Sequence, residues 1–296
     1  MRFDYLEPRT AEEAVSLLSK YDGEARLIAG GTDLMNLIRT KIIRPKYVVD
    51  LGHIPGLDYV KYDDKGDLSV GTLTTLRTLE MSADVKQRHP VISQAAGQLG
   101  SMAIRNVGTI GGNLCHASPA ADTAPSLMAL GARVKILGPA GERTVAIEDL
   151  FAGPGKTILE RGEMLVEIQV PSMSPRARGV YMKHAARGAA DLAIVGVAVI
   201  ATLDGGRCQN AKIALGAVAP TPMRARNAER VLEAQEPDDT LIENAAQAAS
   251  DESRPITDLR ASADYRREMV KVFTQWAIRK VIPEEEKACN EIATVM

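Results

Sequence analysis

Two short glycine-containing segments are the residues of this chain best suited to chemistry. One is Thr-Ile-Gly-Gly-Asn at residues 109–113, inside a small and polar stretch at 106–122, and the other is Ala-Gly-Gly-Thr-Asp at 29–33. Glycine has no Cβ and reaches positive φ freely, so its main chain can close around an anion through N–H groups. We expect the two segments to hold the two phosphates of a dinucleotide. Neither has the GxGxxG spacing of a Rossmann site.

A simpler interpretation of residues 106–122 is a glycine-rich connection between two helices, because such loops are common. The position of Gly30 and Gly31 favours phosphate binding. They follow an apolar run that predicts a strand at 26–29, and they precede a helical pattern at 33–40. A strand, a glycine turn and a helix in this order direct first-turn N–H groups at a phosphate.

Other kinds of site are not indicated by the residue pattern. The segment Gly-Pro-Gly-Lys-Thr at 153–157 lacks the Walker spacing, since Leu150 stands where a glycine is needed, and we interpret it as a loop. His116 follows Cys115, but the histidines have no metal-ligand spacing, so we expect no metal. The sequence contains no GxSxG or HExxH motif, so hydrolase chemistry is not supported.

Composition is that of a globular protein, with 45% hydrophobic and 25% charged residues over 296 positions, long enough for two domains. A net charge of −2 gives no reason to expect nucleic acid as a partner. Cys115, Cys208 and Cys289 are too few and too far apart for an iron–sulfur cluster within the chain. We expect a cytoplasmic location with no membrane span, because no apolar segment is long enough for one.

The first third of the chain predicts a compact β-α-β unit. Thr10 and Glu13 form a capping box at the start of a helix that begins at residue 11. A strand at 26–29, a helix at 33–40 and a strand at 47–51 follow.

Beyond residue 56, the pattern predicts antiparallel strands and helices, then a polar linker at 171–176, then a small antiparallel sheet with three helices. The expected helices of the middle part are 75–82, 90–104 and 120–130, and the expected strands are 57–62, 68–71, 133–137, 142–146 and 164–170. The three C-terminal helices are expected at 228–234, 240–250 and 263–279.

Taken together and in this order, the motifs resemble one known family. The two glycine segments, Ser118-Pro119 with Asp122, residues 153–157 and Ala-Val-Ala-Pro-Thr-Pro at 217–222 resemble the FAD-binding medium subunit of the molybdenum hydroxylases, the carbon monoxide dehydrogenase and xanthine dehydrogenase family. The resemblance covers nearly the whole chain. It implies an α+β fold with a two-subdomain FAD-binding domain of the vanillyl-alcohol-oxidase/cell-wall-reductase type at 1–175, divided into about 1–55 and 56–175, and a C-terminal α+β domain at 176–296.

The resemblance also implies roles for single residues. Both glycine segments would hold the FAD pyrophosphate, Asp122 the ribityl or ribose hydroxyls, and Leu165 would pack against the isoalloxazine. Lys183, with Arg187 as second candidate, would stabilise negative charge near N1 of reduced flavin. Each residue also has a simpler explanation. Asp122 could be an acidic residue that stabilises a helix terminus, Leu165 could be a core residue, and Lys183 and Arg187 could be solvated surface residues. The expected FAD-binding residues are Leu27, Ile28, Ala29, Gly30, Gly31, Thr32, Asp33, Leu34, Thr109, Ile110, Gly111, Gly112, Asn113, Ser118, Asp122, Leu165 and Lys183.

Some related flavoproteins attach the flavin covalently through a histidine directly after the double glycine. Thr32 stands at this position here. We therefore expect FAD to be bound non-covalently.

The function that the resemblance implies is electron transfer. The chain would take electrons from [2Fe–2S] clusters of a small partner subunit and pass them to an external acceptor, NAD⁺, oxygen or a quinone. A large molybdopterin subunit would oxidise the substrate, and the assembly would be a dimer of heterotrimers. Two alternatives stay open: a self-sufficient flavin-dependent oxidoreductase with its own small substrate, for which no catalytic residue stands out, and a scaffold subunit without cofactor.

Overall fold

The computed structural model of the chain describes residues 2–188 and 190–282; residues 283–296, with Cys289 and the end of the expected C-terminal domain, lie outside this description. The strands are β1 (Asp4–Leu6), β2 (Ala25–Ile28), β3 (Tyr47–Asp50), β4 (Val60–Tyr62), β5 (Leu68–Gly71), β6 (Arg133–Gly138), β7 (Gly141–Ala146), β8 (Phe151–Gly153), β9 (Lys156–Thr157), β10 (Met164–Val170), β11 (Ala177–His184), β12 (Val195–Asp204), β13 (Arg207–Gly216) and β14 (Met223–Arg224). The α-helices are α1 (Ala11–Lys20), α2 (Leu34–Arg39), α3 (Leu76–Met81), α4 (Ala83–Arg88), α5 (Pro90–Gly97), α6 (Met102–Val107), α7 (Ile110–His116), α8 (Thr123–Leu130), α9 (Arg226–Leu232), α10 (Asp239–Glu252) and α11 (Ala263–Val281).

The chain forms two compact units whose segments alternate along the sequence. The first unit contains the described residues up to 79, then 101–118 and 131–171. The second contains 80–100, 119–130 and the described residues from 172 onward.

The first unit begins with the predicted β-α-β arrangement, which is confirmed. Strands β1, β3 and β2 form a parallel sheet in that order, and α2 connects β2 to β3. Helix α1 begins where the capping pattern indicated, with the Glu13 N–H donating to Thr10 Oγ1 over 3.1 Å. The Glu13 carboxylate accepts from the N–H of Arg9 over 2.7 Å, one residue before the position that a capping box prescribes.

The second sheet of the first unit is antiparallel, in the order β4-β5-β10-β6-β7. The strands expected at 57–62 and 68–71 pair as the hairpin β4–β5, and those expected at 133–137 and 142–146 pair as the hairpin β6–β7. Apolar side chains from α1, from the parallel sheet and from β10 share one core, in which Ala14, Val49 and Met164 are fully buried.

The second unit is built on the antiparallel sheet β11-β12-β13-β14, which confirms the expectation for the C-terminal part. Helices α9, α10 and α11 provide the opposite layer of the core, including Leu232, Ala245 and Val270. Two helices from the alternating segments also belong here: α5 contacts β11, and α8 contacts β12 and β13.

Several expected elements differ from the structure for local reasons. The single helix expected at 90–104 is two helices, because Gly100 adopts φ +54° and Ser101 then caps α6 by accepting from the Ile104 N–H. Helix α4 was not expected, and the helix expected at 120–130 begins only at Thr123. Residues 153–157 are part of the hairpin β8–β9, which turns at Gly155, and are not a loop as we expected.

The largest difference concerns residues 106–122, which we expected to be a loop. Residues 110–116 are helix α7, and its cap is the side chain of Thr109, whose Oγ1 accepts from the Gly112 N–H over 3.1 Å. The helix ends at Ala117, in the left-handed region at φ +50°. A threonine N-cap outweighed the low helix propensity of two glycines.

Candidate functional site

The two glycine segments meet within the first unit. A Cβ placed on Gly30 would lie 1.8 Å from the carbonyl oxygen of Val107 and 3.0 Å from Cα of Gly108. No real side chain tolerates such distances, so the backbone of the first segment touches the backbone that leads into the second. The tertiary structure therefore brings together two motifs that are almost eighty positions apart in the sequence.

The turn at residues 29–33 has the expected strand-turn-helix geometry. Strand β2 ends at Ile28, Gly31 adopts φ +70°, and α2 begins at Leu34 with the Met35 N–H donating to Gly31 O over 3.0 Å. Within the described residues, no protein acceptor receives the N–H groups of residues 30–34. Helix α2 has only six residues, so its dipole is small and the individual N–H groups are the stronger feature.

In the second segment, the N–H groups of residues 110–113 already donate to acceptors within the protein. The Ile110 N–H donates to Thr74 O and the Gly111 N–H to Thr72 O, each over 3.0 Å. The Gly112 and Asn113 N–H groups donate to Oγ1 and O of Thr109. Our expectation that both segments offer free N–H groups is therefore wrong for residues 110–113. These groups donate to Thr72 and Thr74, which follow β5, and to Thr109, the N-cap residue of α7.

The two segments are also joined through side chains. Asp33 does not cap α2, and its Oδ1 lies 3.7 Å from Nε2 of His116, at the end of α7. Both side chains are partly exposed. This pair was not expected from the sequence, where His116 drew attention only as a neighbour of Cys115.

Other expected residues of the first unit lie in regular elements. Leu27 and Ile28 are in β2, and Ala29 follows directly. Leu165 is in β10, only 3% exposed, beside an irregularity in the pairing with β6. Its burial agrees equally with core packing and with a flavin contact, so its role stays a prediction. Ser118 follows the left-handed Ala117.

Asp122 and Lys183 form a buried ion pair in the second unit. Lys183 Nζ lies 3.0 Å from Asp122 Oδ2 and donates to Gln98 O over 2.8 Å. The two side chains are 2% and 5% exposed, with lysine the lower, so Lys183 is not a solvated surface cation. Arg187, the second candidate, is 86% exposed and pairs with Asp191, so the structure separates the two cations.

A tyrosine that sequence analysis missed completes this group. Tyr181 Oη donates to Asp122 Oδ1 over 2.7 Å. Burial raises the pKa of the Asp122 carboxyl, while the Lys183 charge and the hydrogen bonds from Tyr181 and Lys183 oppose that rise. Burial and the nearby carboxylate raise the pKa of Tyr181, so its hydroxyl stays protonated and donates. Sequence analysis could have found Tyr181 from its spacing to Lys183, because residues two positions apart on a strand share a face of the sheet.

Among the described residues, no group of three or more His, Cys, Asp or Glu side chains is arranged to hold a metal ion. No helix in the same part of the chain is both long and apolar enough to cross a membrane.

The fold and the paired glycine motifs define a class: the chain belongs to the family of FAD-binding subunits of the molybdenum hydroxylases, and it is an oxidoreductase subunit. Residues 1–173 match the family described as the FAD binding domain in molybdopterin dehydrogenase. Residues 180–281 match the CO dehydrogenase flavoprotein C-terminal domain. The cofactor of this class is FAD, as the resemblance implied.

Individual relatives agree with this class along nearly their whole length. The chain is 34% identical to the glyceraldehyde dehydrogenase medium chain of Sulfolobus acidocaldarius, over 94% of this chain and 98% of the relative. It is 30% identical to the xanthine dehydrogenase FAD-binding subunit of Escherichia coli O157:H7, over 94% and 95%. The solved carbon monoxide dehydrogenase of Hydrogenophaga pseudoflava superimposes with a TM-score of 0.92 at 33% identity, covering 95% of this chain and 97% of that one.

Proposed function

We propose that this chain is the electron-transferring flavoprotein subunit of a multi-subunit molybdenum hydroxylase. It takes electrons from [2Fe–2S] clusters of a small partner subunit and passes them to an external acceptor, NAD⁺, oxygen or a quinone. A large molybdopterin subunit oxidises the substrate, and the complex is a dimer of heterotrimers. The observation that carries the proposal is the match along nearly the entire length of relatives called medium chains and FAD-binding subunits. The lack of cluster-type cysteine spacing in the sequence agrees with this division of labour.

Within the first unit, we propose that the N–H groups of residues 30–34 receive the FAD pyrophosphate. The support is the set of five successive N–H groups without a protein acceptor among the described residues. The N–H groups of residues 110–113 already donate within the protein, so we propose that the second segment acts by holding in place the backbone of Val107 and Gly108, against which Gly30 packs. Leu27, Ile28, Ser118 and Leu165 keep their proposed places in the binding site by resemblance.

In the second unit, we propose that Asp122 binds flavin hydroxyls and that Lys183 stabilises the reduced cofactor. Bound FAD supplies a centre that exchanges electrons one or two at a time. The ammonium group of Lys183 is buried, and a positive charge in a poorly hydrated position acts strongly on a nearby anion. Asp122 and Gln98 O hold that ammonium group in place.

We further propose that the fold is of the vanillyl-alcohol-oxidase/cell-wall-reductase type, with domains at 1–175 and 176–296. The change from a parallel sheet ending at Asp50 to an antiparallel sheet beginning at Val60 supports a subdomain boundary near residue 55.

Because Thr32 stands where covalent flavoproteins have a histidine, we propose that FAD is bound non-covalently. Acid precipitation should leave all yellow colour in the supernatant, and colour in the pellet would contradict this proposal.

The function is tested by purifying the tagged chain from cells that also produce its own partner subunits. Co-purification of two further polypeptides with molybdenum, iron and FAD is the expected result. Turnover of a small organic substrate by the chain alone would favour the self-sufficient oxidoreductase instead. A colourless chain that FAD cannot reconstitute would favour the scaffold.

A further inference from the structure

The Asp122 carboxylate is held at both oxygens by two residues of one strand. Tyr181 Oη donates to Oδ1 and Lys183 Nζ lies against Oδ2, at 2.7 and 3.0 Å. The two donors are two positions apart in β11 and therefore lie on the same face of the sheet. A carboxylate fixed at both oxygens in a buried site cannot rotate without losing a charge-assisted hydrogen bond.

The backbone around Tyr181 is fixed as well. Its N–H donates to Oε1 of Gln94 in α5 over 2.8 Å. On the neighbouring strand β12, Gly196 pairs with Lys183, and a Cβ at Gly196 would lie 2.8 Å from Tyr181 Oη. Gly196 has no positive φ, so its backbone would accept alanine, and the atom that such a Cβ would approach most closely is the tyrosine hydroxyl oxygen.

We propose that Tyr181 is a positioning residue for FAD binding, acting through Asp122, and that Gly196 makes room for its hydroxyl. This inference rests on the proposed contact of Asp122 with the flavin nucleotide. The Tyr181 hydroxyl holds one carboxylate oxygen so that the other stays directed at Lys183. Without it, the carboxylate is free to turn, and both the Asp122 contact and the Lys183 ammonium group lose their fixed positions.

The first test is a double-mutant cycle between Tyr181→Phe and Asp122→Asn, made in the chain as it is purified and reconstituted with FAD. The readouts are the FAD dissociation constant, from flavin fluorescence, and the midpoint potential of the bound flavin. We expect Y181F to weaken FAD binding about tenfold in the wild-type background, the size of one hydrogen bond to a charged group. In the D122N background, Y181F should have a clearly smaller effect on both readouts, because the amide oxygen that then accepts from the tyrosine is uncharged. Tyr59→Phe is the matched control, because Tyr59 donates to the Glu167 carboxylate in the first unit.

The second test uses Gly196→Ala, which keeps the tyrosine but displaces its hydroxyl. G196A should reproduce the Y181F effect on FAD affinity and potential. The combination Y181F/G196A should be no worse than Y181F alone, because phenylalanine leaves space for the new methyl group. Additive effects of the two changes would show that G196A does not act through the Tyr181 hydroxyl.

The outcomes separate this inference from the proposed function. If D122N and Lys183→Met weaken FAD binding and shift its potential while Y181F does neither, Asp122 and Lys183 keep their roles and the positioning role of Tyr181 is wrong. Equal effects of Y181F in both backgrounds would also reject it. If D122N and K183M leave FAD affinity and potential unchanged, the proposed flavin contacts themselves are wrong, and the inference is rejected with them.

Discussion

Gly111 and Thr72 lie in direct backbone contact: a Cβ at Gly111 would be 1.8 Å from Thr72 Oγ1 and 2.7 Å from Thr72 O. The Gly111 N–H also donates to that carbonyl oxygen over 3.0 Å. The contact places the first turn of α7 directly against the residue that follows β5. At position 111, glycine is therefore required by packing against Thr72. From the sequence we expected this glycine to bind an anion through its N–H group.

We predict that Gly111→Ala destabilises the chain by about 1–3 kcal/mol even without FAD, because the methyl group has no space and α7 must shift. Urea unfolding of the FAD-free protein measures this. Gly112→Ala is the control in the same helix: its Cβ would meet only Thr109 Oγ1, at 3.0 Å, and alanine favours the helix by up to about 1 kcal/mol over glycine. Equal stabilities of the two variants would contradict the packing explanation.

Gly30→Ala should weaken FAD binding. Its methyl group would overlap the Val107 carbonyl and force residues 30–34 away from α6 and α7. Displacing five N–H groups from a bound phosphate should cost at least about tenfold in affinity, or roughly 1.4 kcal/mol. The FAD content per polypeptide after desalting measures this loss. Gly153→Ala serves as control, since a Cβ added at Gly153 would have no atom within 4 Å. Full FAD content in G30A would show that the close approach is not needed.

Lys183→Met should destabilise the second unit strongly. It leaves the Asp122 carboxylate buried beside Tyr181 without its cation, and breaking a buried pair on one side costs about 3–5 kcal/mol. The double variant K183M/D122N removes the unpaired charge and should recover part of that loss. Denaturant unfolding of the FAD-free chain compares them. A loss below about 1 kcal/mol for K183M would mean that Asp122 becomes protonated at little cost.

Acid stability should depend on Asp258. Partial burial acts to raise its pKa, but hydrogen bonds from the Arg260 N–H and the Arg266 guanidinium outweigh this and lower it from 3.8 to about 2. A carboxyl whose pKa is lower in the folded chain adds stability that is fully present above pH 3.8 and is lost as pH falls towards 2. Asp258→Asn should therefore be less stable than wild type at neutral pH and should lose less stability between about pH 4 and pH 2.

Arg266 explains why Asp258 is a sensitive position. Its side chain is 2% exposed and donates from Nη1 to Ile194 O and Ala217 O, and from Nη2 to Asp258. It thereby ties α11 to the start of β12 and to the left-handed Ala217. Identical acid unfolding curves for wild type and D258N would show that this network contributes nothing to acid stability.

The local pattern of the sequence was sufficient to predict many of the strands and helices and to indicate the family. Thr10 and Glu13 located the start of α1, the double glycine after an apolar run indicated β2, its turn and α2, and alternating apolar residues indicated β10. These features depend on contacts within a few residues, so they can be deduced without knowledge of the fold. The combination and order of the motifs then indicated the family, which the comparisons confirmed.

The tertiary structure alone decided which polar groups are available. Whether an N–H is free depends on what packs against it: residues 30–34 have no protein acceptor in the described part of the chain, whereas 110–113 find theirs in Thr72, Thr74 and Thr109. Similarly, Lys183 and Arg187 look alike in sequence, yet one is buried against Asp122 and Tyr181 and the other is exposed. Burial and pairing arise between residues far apart in the chain, and no local pattern records them.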